Sequence, residues 1–289
     1  MPLLLPPPEA RFWGSSPHGG TQQGARVCLF GAPLDLTGSG RLGTGQAPPA
    51  VRRASHNIES YSPRLDADLF DAGFADLGDL QLDGLPMEAA LAEIEHQTAA
   101  VLHHAVPVVV GGEHTIALAV GHAVKKHHPD AVIISLDAHL DLADTLDDRK
   151  VAHGTWVCRL SEEVGGLGDF VLLGMRSGTR DEWQRARSAL WQSPEVVLPE
   201  HIRAKIGSRP VYLSIDIDVL DPSAAPGTGT PEPPGISTAE LFRFVYSLAG
   251  LNVVALDINE ILPEADPAGI TALTGAKLIR ETVLLLAGA

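Results

Sequence analysis

Ser214-Ile215-Asp216-Ile217-Asp218-Val219-Leu220-Asp221-Pro222 follows the apolar run Val211-Tyr212-Leu213 and sets two carboxylates at i and i+2. Strand side chains alternate faces, so an extended chain here points Asp216 and Asp218 the same way. A buried strand carries two acids on one face only where something positive receives them, most often a metal ion. Pro222 predicts a turn, because proline cannot donate to a central ladder. Alone, the pattern also suits a strand end with two solvated acids, since Asp is common in turns.

Earlier segments repeat the design. Ala131-Val132-Ile133-Ile134-Ser135 is a short apolar strand, followed by Asp137-Ala138-His139-Leu140-Asp141, with polar groups at i, i+2 and i+4. Val106-Pro107-Val108-Val109-Val110 is another, closed by Gly111-Gly112-Glu113-His114. Further apolar runs at Val27–Gly31, Phe170–Leu173, Val211–Ile217 and Val253–Leu256 alternate with helical stretches at 85–105, 114–128, 180–191, 237–249 and 269–287. Fully apolar short strands alternating with helices predict an α/β fold, a mainly parallel sheet covered on both faces. Such sheets bind ligands beyond the carboxyl ends of their strands, so the three acidic strand ends can converge. Residues 1–25, rich in Pro and Gly, are expected to form an N-terminal arm, and 26–289 a single domain.

Convergence would gather His114, Asp137, His139, Asp141, Asp216 and Asp218: two imidazoles and four carboxylates. That oxygen-rich set suits Mn²⁺ and is too large for one ion. Two ions about 3.5–4 Å apart, bridged by carboxylates, could supply hydroxide at neutral pH. His153-Gly154 follows closely, and a histidine beside a metal centre can move protons near neutral pH, though an ordinary loop histidine fits as well. Glu260 lies past the last apolar strand, where a carboxylate could receive a planar cation. The Gly-rich stretch 37–45 lacks both nucleotide-binding spacings and reads as a rim loop. His103, His104, His122, His127, His128 and His201 earn no role.

The net charge of −15 argues against nucleic acid and against an anionic membrane surface, and favours a cationic or neutral small substrate. No apolar run approaches membrane-spanning length. Two cysteines, Cys28 and Cys158, both read as packed residues, imply no disulfide framework and fit a reducing cytoplasm.

With these pieces in place the chain resembles the ureohydrolases: arginases, agmatinases and guanidino-acid hydrolases. The resemblance rests on Gly111–His114, Ser135–Asp141, His153-Gly154-Thr155, Ser214–Pro222 with Pro226–Glu232, and Asp257-Ile258-Asn259-Glu260. It implies the three-layer α/β/α arginase/deacetylase fold and a binuclear manganese centre. His114, Asp137, Asp141 and Asp216 would hold one ion, and Asp137, His139, Asp216 and Asp218 the other. It further implies His153 as proton shuttle, Asp218 as a group assisting proton transfer, Glu260 as guanidinium anchor, and a homotrimer or homohexamer.

Within that family the amino-terminal segments Gly31–Asp35, Arg52–Ser55 and Asp76–Asp79 look most like agmatinases, which cleave agmatine to putrescine and urea. Arginases usually carry an asparagine two residues after the last aspartate of the Asp-x-His-x-Asp block, gripping the substrate carboxylate. Ala143 stands there. The nearby loop offers Asp144, Asp147 and Asp148 for an amine tail, or Arg149 and Lys150 for a carboxylate tail, or is simply a solvated charged loop. Guanidino-acid hydrolysis is therefore the second reading. Glu113 and Leu140 replace the aspartate and the smaller residue common in the family. A metal-dependent deacetylase of the same fold would need one zinc and fewer acids.

Overall fold

The computed structural model describes residues 10–16 and 24–288. Its strands are β1 (Val27–Ala32), β2 (Tyr61–Ser62), β3 (Ala67–Asp68), β4 (Phe74–Asp79), β5 (Val106–Gly111), β6 (Val132–Leu136), β7 (Phe170–Leu173), β8 (Trp191–Ser193), β9 (Pro210–Asp216) and β10 (Asn252–Asn259). Its helices are α1 (Ala47–Ser55), α2 (Met87–Leu102), α3 (Ile116–His127), α4 (Trp156–Glu163), α5 (Arg180–Ala186), α6 (Glu200–Ile206), α7 (Thr238–Ser247) and α8 (Ile270–Ala287).

One eight-stranded sheet runs in the order β4-β1-β5-β10-β9-β6-β7-β8, with every neighbouring pair parallel. β2 and β3 form a separate antiparallel pair. Alternation sorts the apolar side chains into two cores. Val27 and Leu29 of β1 pack in one with Val51 of α1, Phe244 of α7 and Ile279 of α8. Cys28 and Phe30 pack in the other with Ile94 of α2, Val120 of α3 and Leu160 of α4. Helices thus cover both faces, the three-layer arrangement expected. Among the described residues no helix is long and apolar enough to cross a membrane.

The local expectations held for the long periodic segments and failed for the short polar ones. β4 carries two acids and a glycine in six residues, which disguised a buried strand. Its acids answer Arg52 of α1, which donates from Nε to Asp76 (2.8 Å) and from Nη1 to Asp79 (2.6 Å). α1 opens on prolines, tolerated in a first turn whose N–H groups lack partners. The helix expected over 180–191 stops at Ala186, and Trp191–Ser193 becomes the edge strand β8. Residues 10–16 of the expected arm pack on the body. Phe12 is buried edge-on against Phe74 at 5.6 Å, and its N–H donates to Asp76 Oδ2 at 2.9 Å. Most of the remaining arm lies outside the described residues.

Candidate active site and metal centre

β5, β10, β9 and β6 are neighbours at the centre of the sheet, and their carboxyl ends deliver the predicted residues to one place. After β5 the chain must pass two close neighbours. A Cβ on Gly111 would lie 2.1 Å from Asn259 Oδ1, and one on Gly112 would lie 2.0 Å from the Leu34 carbonyl oxygen. Only glycine fits either position, which explains the Gly-Gly before Glu113 and His114. Gly112→Ala should destabilise the chain by about 1–3 kcal/mol or more, with the loss read from thermal denaturation.

The extended geometry assumed for the acidic segments is corrected in part. β6 ends at Leu136, and Asp141 sits at φ +50°, so strand alternation does not carry Asp137, His139 and Asp141 together. β9 ends at Asp216, and Asp218 lies in a single 3₁₀ turn, Ile217–Val219. The side chains still converge because the turns are tied locally. Asp216 Oδ1 accepts the Asp218 N–H (2.8 Å), Asp218 Oδ1 accepts the Ala138 N–H (3.0 Å), and Asp137 Oδ1 accepts the His139 N–H (2.6 Å).

Two groups result. His114 Nδ1 lies 3.1 Å from Asp137 Oδ2, 3.1 Å from Asp141 Oδ2 and 3.3 Å from Asp216 Oδ2. His139 Nδ1 lies 2.9 Å from Asp218 Oδ2 and 3.6 Å from Asp137 Oδ1. Asp137 therefore belongs to both, one oxygen to each. Three of these atoms, His114 Nδ1, Asp137 Oδ2 and Asp218 Oδ2, are buried without a hydrogen-bond partner. Buried polar atoms left unbonded within such groups are what cation-binding cradles require. The electrostatics agree. Burial pushes Asp216 well above the usual carboxylate range, with the charges of Asp218 and Asp137 adding to it. Burial and Asp137 push Asp141 up to about 7. Burial works against charge on His139, but hydrogen bonds to Asp137 and Asp218 outweigh it and raise the imidazole to about 12. So many buried acids stay ionised only beside cations, and two divalent ions fit the donor set.

The Nδ1 atom of His114 is set from behind. Ser214 Oγ donates to Asp257 Oδ1 (2.7 Å), so the contact between Ser214 Oγ and His114 Nε2 (2.9 Å) places the imidazole proton on Nε2. Nδ1 is left with its lone pair facing the carboxylates. Asp257 is completed by Asn259 Nδ2 at 2.5 Å and by the Tyr212 hydroxyl. Sequence reading missed this chain. Its signal was present, because Tyr212, Ser214 and Asp216 share one parity on β9.

Glu260 directly follows β10 at φ +64°, a conformation costly for a residue with a side chain. The turn is held by its N–H donating to the Gly112 carbonyl (2.8 Å) and by its Oε1 accepting the His114 N–H (2.7 Å). Burial pushes its carboxyl up to about 8. Glu260, His139, His153 and Ser39 all line one cavity of about 490 Å³, which confirms the Gly-rich loop as part of the rim. Burial holds His153 below the usual imidazole range.

The charged side chains of the nearby loop do not line this cavity. Asp144 pairs with Arg159 at 2.9 Å, and Arg149 turns away to donate to the Leu36 carbonyl at 2.9 Å. Ala143, Thr145 and Leu146 line the cavity, whereas Asp147, Asp148 and Lys150 do not. Glu182, unremarked in the sequence, does line it, as part of the capping box that starts α5.

Comparison with known proteins gives the family. The family model described as Arginase family matches residues 25–285. The chain is 37% identical over 266 residues to the agmatinase of Bacillus subtilis, covering 90% of this chain and 91% of that protein. It is 35% identical over 276 residues to the guanidinobutyrase of Pseudomonas aeruginosa, covering 91% and 86%. The agmatine ureohydrolase structure of Thermoplasma volcanium superposes with a TM-score of 0.86 at 30% identity, covering 96% of this chain and 94% of that one. The chain belongs to the arginase family, the ureohydrolase group that its motifs resemble.

Proposed function

We propose that the chain hydrolyses a guanidino compound to urea and an amine with two Mn²⁺ ions, and that agmatine is the preferred substrate. The observation that carries the substrate choice is the charge of the cavity wall. Asp141, Glu182, Asp216 and Glu260 line it, with no lysine or arginine among the described residues. Agmatine is cationic at both ends, and Glu182, outside the metal cluster and apart from Glu260, is the carboxylate left for its amine tail. A guanidino acid would bring a carboxylate to a wall that offers hydroxyls such as Ser177 and Thr179, but among the described residues no lysine or arginine, to receive it. Ala143 offers arginine no side-chain hydrogen bond.

His114, Asp137, Asp141 and Asp216 would hold one ion, and Asp137, His139, Asp216 and Asp218 the other. When bound, the pair supplies Lewis acidity and a nucleophilic hydroxide at neutral pH. The chain does the rest. Glu260 receives the guanidinium through paired N–H donors and fixes the carbon to be attacked. As oxygen adds to that carbon, its bond to the tail nitrogen breaks, and that nitrogen leaves as an amine only if it gains a proton. Asp218 and His153 pass that proton.

The reading is tested by urea release from agmatine, arginine, 4-guanidinobutyrate and 3-guanidinopropionate with Mn²⁺ supplied. We expect agmatine to be preferred by at least about tenfold in kcat/KM, because one charged hydrogen bond supplies about that much. Preference for a guanidino acid would overturn the tail assignment and leave the hydrolase standing. Silence on all four would overturn both.

A further inference from the structure

We infer that Thr37, on the rim loop, is a positioning residue that fixes His153 in the tautomer protonated on Nδ1. The inference deepens, and rests on, the reading of His153 as a residue that moves a proton.

The Thr37 hydroxyl has one proton to give and two lone pairs. Thr37 Oγ1 lies 2.7 Å from Glu113 Oε1, 3.1 Å from the His153 backbone nitrogen, 3.2 Å from His153 Nδ1 and 3.3 Å from Thr115 Oγ1, whose own proton goes to Glu113. Glu113 is fully buried and also accepts from the Leu36 N–H (2.7 Å), the Thr37 N–H (2.5 Å) and the Thr115 hydroxyl (2.6 Å). A buried carboxylate accepts and does not donate, and its bond to a hydroxyl is short and charge-assisted. The Thr37 proton therefore goes to Glu113. Both lone pairs then remain for His153, one for its backbone N–H and one for its ring. The ring must bring the proton to that second contact, so Nδ1 carries hydrogen. Nε2, across the ring, keeps the lone pair on an imidazole that lines the cavity.

This gives Glu113 and the rim loop a part in the site. The carboxylate sits beside His114 in sequence but reaches away from the metal cradle. It pins the loop at two backbone amides and through the loop sets which nitrogen of His153 accepts a proton. An aspartate, shorter by one methylene, would have less reach for the same bonds.

The test uses the full-length chain. In its metal-free form, ¹⁵N-histidine spectra, with the His153 signals identified by H153Q, should show Nδ1 protonated and Nε2 bare. Thr37→Val keeps the shape, removes the acceptor and should mix the two tautomers, whereas Thr37→Ser should restore the wild-type pattern. With Mn²⁺ and agmatine, Thr37→Val should lower kcat about ten- to a hundredfold. Its KM should stay within about twofold and its metal content unchanged, because removing the hydroxyl touches neither Glu260 nor the metal cradle. Thr37→Ser should recover most of the rate. A wild-type His153 protonated on Nε2, or a Thr37→Val spectrum like the wild type, would overturn the inference. The predicted spectra in a chain inert to every guanidine would instead overturn the hydrolase reading and leave the tautomer assignment standing.

Discussion

Asp216→Ala should lose manganese and hydrolysis together, with kcat/KM down by at least about 10³-fold. Two effects combine. The substitution removes Oδ2, which lies 3.3 Å from His114 Nδ1 where the first ion would sit. It also removes Oδ1, which accepts the Asp218 N–H at 2.8 Å and so shapes the turn whose Asp218 would hold the second ion. Metal analysis and thermal denaturation check it without reference to turnover. An ion that binds only the folded chain stabilises it by about 2.7 kcal/mol at a hundredfold excess over Kd. The wild type should show a rise of this order when Mn²⁺ is added, and Asp216→Ala almost none. Turnover retained in that variant would sink the metal assignment.

Glu260→Gln should separate the two halves of the site. The amide keeps the shape and can still accept the His114 N–H that Glu260 Oε1 now accepts at 2.7 Å, so both ions should remain. What would be lost is the negative charge proposed to face the guanidinium. Removing one partner of a buried, hydrogen-bonded charge pair costs about 2–4 kcal/mol, or roughly 30- to 10³-fold in kcat/KM. The measurement is steady-state kinetics on agmatine beside metal content. Wild-type KM in this variant would mean that another group anchors the guanidinium.

Much of this was legible before the structure, for reasons that differ by segment. The parallel sheet showed because its inner strands are apolar on both faces, as β6 is throughout. The six metal-binding candidates showed because acids and imidazoles at strand ends are conspicuous. Their convergence was expected for an incomplete reason. Tight turns at Asp141 and Asp218, fixed by side chains accepting backbone N–H groups, do what strand alternation was supposed to do. β4 was hidden because its acids are satisfied by Arg52, a partner 24 residues upstream of Asp76 that no local pattern links to it. The charged loop misled because charge near a motif in sequence is not charge near the site. Arg149 and Asp144 each find a neighbour on the outside. Glu182 escaped notice because a capping glutamate looks the same whether or not a cavity opens beside it.

The contact between the His114 N–H and the Glu260 carboxylate spans 146 residues of chain. Together with Asp137 and Asp216 it draws on four strands adjacent in space and scattered in sequence. No single strand end supplies the whole centre. The site is a property of the finished sheet, so its capture of metal reports on completion of the fold. Damage to any of the four central strands would register there before the outer helices noticed.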